Sequence, residues 1–160
     1  MLKMKLIDIW FKNIYNDIKS KAKVGNKLRT YRKFKYIYQL EPYLNIGFEN
    51  PRKYLTKLRL SDHDLNIERG RYTNLEIHQR ISYMCKNEVE DEKHFLLNCP
   101  NLEEIRKPFI EEINDKYCNF KNLCIDNKFL WLMSNEDTSV VKLLLKLVVE
   151  LKEKRNVLIS

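Results

Sequence analysis

The chain has 160 residues, 44% of them hydrophobic and 32% charged, with a formal net charge of +8, enough apolar material for one globular domain or two small helical lobes on a shared core. No apolar run reaches the length of a membrane span, since the longest, 140–151, carries Lys142, Lys146 and Glu150; the first eleven residues mix lysines and Asp8 with apolar side chains and lack a small-residue cleavage pattern, so no secretory signal and an intracellular location are expected. Four unevenly spaced cysteines make no disulfide framework and point instead to reduced thiols or metal ligands.

With only three glycines and few turn residues, the sequence predicts a mainly α fold: a small multi-helix domain carrying a short hairpin-plus-helix knuckle. Residues 1–80 form a basic helical region, 81–100 the knuckle, and 101–160 C-terminal helices packing on the same core. Leu6, Ile7, Trp10, Phe11, Ile14 and Ile18 recur at helical spacing and give a first helix an apolar face. A second helix is expected over 27–38, broken at Glu41-Pro42, because a residue before proline is pushed from helical geometry. Pro51 can open a third through Leu60, with Ser61 or Asp62 suited to capping the next segment. Arg69-Gly70-Arg71 reads as a turn between two short extended pieces, both arginines projecting near the knuckle as a phosphate clamp.

Asp91-Glu92 places negative charge at the start of a helix carrying His94 to Leu97. The close run Glu88, Glu90, Asp91 and Glu92 is expected to face water. Pro100 ends that helix, Asn101 restarts another with Glu104 as a capping-box partner, and Pro108 predicts a kink or new start near Lys107. The last helix, 137–155, is apolar on most sides, and is therefore either central in the core or covered by a partner or a second copy.

Charge is uneven. Residues 1–80 hold 18 Lys and Arg against 8 Asp and Glu, whereas 81–160 hold 12 against 14. Between 19 and 35 there are eight basic residues, Lys27, Arg29, Arg32, Lys33 and Lys35 among them, and no acid. Such a block favours a polyanion, RNA or DNA, through phosphate contacts that release counterions. Tyr31, Phe34, Tyr36 and Tyr38 interleave with it and could stack on bases, or pack into the core.

The sharpest motif is Ser82-x2-Cys85-x8-His94-x4-Cys99. Structural zinc takes four thiolate or imidazole donors in a tetrahedron. Cys85, His94 and Cys99 supply three within fifteen residues, and Ser82 stands where a fourth is wanted, offering only a neutral hydroxyl. His78, Asp91, Glu92, Cys118, Cys124 or water could complete the set; alternatively both cysteines are simply small buried residues.

Several blocks occur together: Lys27-Leu28-Arg29-Thr30-Tyr31-Arg32-x-Phe34-Lys35, Glu41-Pro42-Tyr43-Leu44, Lys57-Leu58-Arg59-Leu60-Ser61-x-His63-x-Leu65-x-Ile67-Glu68-x-Gly70-Arg71-Tyr72, and Glu90-Asp91-Glu92-x-His94-Phe95-Leu96-Leu97-x-Cys99-Pro100. In this order they resemble the C-terminal region of LINE-type (non-LTR) retrotransposon reverse transcriptases, clearly over 27–106. The resemblance implies a zinc-binding tail of the Cys-x2-Cys, His, Cys type, with Cys85, His94 and Cys99 at its second to fourth ligands and Ser82 at the first, and a role in nucleic-acid handling.

Catalytic signals are missing. The sequence has no Tyr/Phe-x-Asp-Asp run to hold paired magnesium ions, no carboxylate and histidine set for an endonuclease and no glycine-rich phosphate loop. Cys85 with His94 lacks an orienting third group for thiol catalysis. Two readings result: a non-catalytic nucleic-acid-binding module using Lys27, Arg29, Arg32, Lys33, Lys35, Arg69 and Arg71, or a structural or protein-interaction helical domain, which includes a decayed element fragment with no selected role.

Overall fold

The computed structural model describes Ile9, Lys12 and residues 28–159; of the helix expected over 6–18 only Ile9 and Lys12 are described, both helical, and Lys27 and the first part of the basic block lie outside the described residues. The described part is mainly helical, as expected. Its helices are α1 (Glu49–Arg59), α2 (Asn66–Tyr72), α3 (Glu103–Lys116), α4 (Cys118–Lys121), α5 (Ile125–Ser134) and α6 (Thr138–Ile159), with short 3-10 turns at Tyr31–Lys33, Pro42–Asn45, Ile77–Gln79 and Pro100–Leu102 and a π-type turn at His94–Asn98. None of the described helices is long and apolar enough to cross a membrane.

The core is organised around α6. Asp137 caps it, its carboxylate accepting from the Ser139 and Val140 amides at 2.7 and 3.4 Å. Val140, Val141, Leu144, Leu145, Leu147, Val148 and Leu151 are all buried, a face too wide for a single neighbour. It packs against α1, α3, α5, the π-type turn and the 3-10 turn after it. Each such side chain contributes about 1.5–3 kcal/mol on burial. Of the two fates open to this apolar helix, the described residues show it central in the core.

Other boundaries depart from the sequence reading. Residues 27–38 do not form a helix where described: a single 3-10 turn at Tyr31–Lys33 leads into irregular chain. Phe34 is buried, and the cation Arg59 lies 4.7 Å from its ring centre and from that of Tyr43, so tertiary contacts override local propensity. Ser61 does not start a helix but closes one. It sits at φ +53°, its amide bonding Leu58 O at 3.3 Å and the Asp62 amide bonding Lys57 O at 2.8 Å, the pair of hydrogen bonds that marks a left-handed helix terminus. The segment read as a turn around Gly70 is helical, within α2. Pro108 lies inside an unbroken α3; it and Glu104, whose carbonyl loses its helical donor, are both exposed to water.

Candidate functional site

The knuckle is a minimal hairpin running into a tight helical turn, in agreement with the sequence reading. Ile81 and Val89 form an antiparallel bridge, flanked by Ser82 N to Glu88 O and Glu90 N to Arg80 O, each 2.9 Å. The loop closes with Lys86 N on Ser82 O at 2.9 Å, and Lys86 takes the left-handed conformation, φ +54°. Asp91 then caps the next turn, accepting from His94 N at 2.7 Å. Cys99 N reaches back five residues to His94 O at 2.8 Å. That wider spacing turns Cys99 back toward the hairpin, a use of π-type turns typical of functional sites.

Cys85, His94 and Cys99 thereby converge, with all their ligand atoms within 4.8 Å of one another. His94 and Cys99 are buried and Cys85 half-buried. Cys85 Sγ is 3.4 Å from His94 Nε2; two donors at ordinary zinc distances on a tetrahedron stand roughly 3.5 Å apart. His94 Nδ1 meets Glu88 Oε2 at 3.0 Å, and since a carboxylate only accepts, Nδ1 carries the hydrogen in this contact while Nε2 faces Cys85. This is the carboxylate–histidine arrangement that orients metal-binding imidazoles.

Burial pushes the Cys85 thiol up, but hydrogen bonds from the Asn87 and Glu88 amides, the Ser82 hydroxyl and the Cys99 thiol lower it below its ordinary value. Burial pushes the Cys99 thiol up, with Cys85 adding to the effect. Ser82 is buried beside the cluster. Asn101 donates to Met84 O at 2.8 Å and Arg106 to Cys99 O at 2.8 Å, tying both ends of the knuckle to α3 and the turn before it; Asn101 serves there and not as the expected capping-box residue.

The other donors considered do not join the cluster. Cys118, Cys124 and His78 are exposed elsewhere, and Asp91 is the cap. Glu90 and Glu92, expected to face water, are instead 0% and 2% exposed. Glu92 accepts from Ser61 Oγ at 2.7 Å, His63 Nε2 at 2.8 Å and Arg29 Nη2 at 2.6 Å. Burial pushes its carboxyl up, but these three partners hold it well below the carboxylate range. Glu90 forms a bidentate pair with the fully buried Arg155, at 2.7 and 2.9 Å.

These carboxylates divide the basic residues. Arg29 pairs with Glu92 and Glu68, and Arg71 with Glu68 at 2.7 Å. Lys35 is buried against Glu41 at 2.8 Å. Arg29, Lys35 and Arg71 therefore spend their charge inside the fold. Lys33 and Arg69 are exposed and Arg32 is half-buried. Local charge counting missed this division because Glu68 and Glu92 lie 39 and 63 residues beyond Arg29.

No protein-family model, curated protein or solved structure matches the chain.

Proposed function

We propose that the chain is a non-catalytic nucleic-acid-binding accessory module built on a zinc-type knuckle, similar to the C-terminal tail of non-LTR retrotransposon reverse transcriptases. The observation that carries this reading is the convergence of Cys85, His94 and Cys99 within 4.8 Å, the same three positions that the sequence resemblance assigns as ligands. The donor set fits zinc: two sulfurs, an imidazole whose other nitrogen is held by Glu88, and hydrogen bonds that lower the Cys85 thiol below its ordinary value. Cys85, His94 and Cys99 would hold the ion, with the Ser82 hydroxyl or water as fourth donor, and its role would be to lock the hairpin to the π-type turn. The net charge of +8 and the exposed Lys33 and Arg69 supply the attraction for phosphate.

Fluorescence anisotropy with labelled oligonucleotides over a salt series tests the binding. The logarithm of affinity is expected to fall linearly with the logarithm of salt, and Lys33→Ala with Arg69→Ala to reduce the slope by about 1 for each phosphate contact removed. Binding that is undetectable at low salt contradicts the proposal. The second reading, a structural or protein-interaction domain, is favoured by the internal pairing of Arg29, Lys35 and Arg71, and that negative result would select it.

A further inference from the structure

A groove of about 450 Å³ lies between α2 and the hairpin of the knuckle. Tyr72 and Tyr83 line it and are 78% and 57% exposed, with Arg69 beside them. Its wall is rigid. Arg80 is buried and donates to Ile67 O at 2.7 Å and twice to Leu75 O at 3.1 and 2.8 Å. Gly70 makes room for it, because a Cβ there would stand 2.5 Å from Arg80 Cγ. Arg80 thus holds the wall through carbonyls, and Arg69 is the exposed cation of the groove.

Asn66, also lining the groove, is 5% exposed. Its Nδ2 donates to Ile81 O at 2.5 Å and its backbone amide to Glu90 at 2.8 Å, while its Oδ1 is buried with no hydrogen-bond partner among the described residues. Exposed aromatic faces and the exposed charge of Arg69 together describe a site for an unstacked base and its phosphate.

We infer that this groove binds single-stranded nucleic acid, bases stacking on Tyr72 and Tyr83 and a phosphate meeting Arg69. The inference rests on the nucleic-acid reading above and places its contact surface on α2 and the hairpin. Duplexes, whose bases are already stacked, do not use this site.

The test is anisotropy on the full chain with single-stranded RNA, single-stranded DNA and duplex DNA of one sequence. Tyr72→Ala and Tyr83→Ala, both changes of exposed side chains, are each expected to weaken single-strand binding roughly 5- to 150-fold, Tyr→Phe to restore it, and duplex affinity to stay constant. Comparison of the RNA and DNA arms shows which sugar the groove accepts. Wild-type single-strand binding that is salt-dependent but unchanged in both Ala variants overturns the groove while leaving the proposed function intact. Absence of any wild-type binding overturns both.

Discussion

Arg155→Met strands a carboxylate in the middle of the protein. Arg155 and Glu90 are both 0% exposed; the guanidinium reaches Glu90 Oε1 at 2.7 Å and Oε2 at 2.9 Å, and also Asp64 Oδ2 at 3.2 Å. Methionine preserves helix propensity and much of the side-chain volume, so the loss is mainly electrostatic. The Glu90 carboxylate would keep a single donor, the Asn66 backbone amide at 2.8 Å. Removing one partner of a buried pair costs about 3–5 kcal/mol. At about 2–4 °C per kcal/mol for a chain of this size, the melting midpoint should fall by roughly 6–20 °C. Urea denaturation monitored by circular dichroism should show a lower midpoint with an unchanged slope. The double variant Arg155→Met/Glu90→Gln, which removes the stranded charge, should recover about half of the loss. A single variant within about 1 kcal/mol of wild type, or a double variant no more stable than the single one, would refute the reasoning.

The packing sets three further outcomes. Burial pushes the Asp64 carboxyl up, but Lys152 and Arg155 more than offset this and hold it below its ordinary value; its contribution is therefore present above about pH 4 and lost as pH falls through the folded-state value. The stability difference between wild type and Asp64→Asn should shrink on acidification below that point in urea titrations at stepped pH. Gly70→Ala gains about 1 kcal/mol of helix propensity, yet its methyl would meet the pinned Arg80 side chain; the measured unfolding free energy should fall by about 1–3 kcal/mol. Leu144→Glu, at a position 2% exposed in α6, should give an unfolded or aggregated chain by circular dichroism and sedimentation, whereas a folded monomer would mean the helix belongs to an interface.

The elements whose apolar pattern is continuous were legible in the sequence. α6 is where 140–151 placed it, and α1 begins close to Pro51. The knuckle was legible because its three donors, its capping Asp91 and its loop all lie within one short stretch. What the sequence hid was every feature made by distant partners. Arg29 looks like part of a phosphate-binding run until Glu68 and Glu92 are folded against it. Glu90 looks solvated until Arg155 arrives from α6, 65 residues away. Gly70 between two arginines has the local signature of a turn, but it is glycine because the Arg80 side chain crosses the helix there. The role of Glu88 toward His94 was likewise obscured, since its neighbours in the acidic run perform three different tasks.

Zinc content tests the central claim most directly. Native mass spectrometry of the purified chain, with and without a chelator, is expected to show one zinc per chain that is lost in His94→Ala and held more tightly in Ser82→Cys, where a thiolate would replace the hydroxyl. A wild-type chain that takes up no zinc from excess metal would contradict the account of Cys85, His94 and Cys99 as a metal centre.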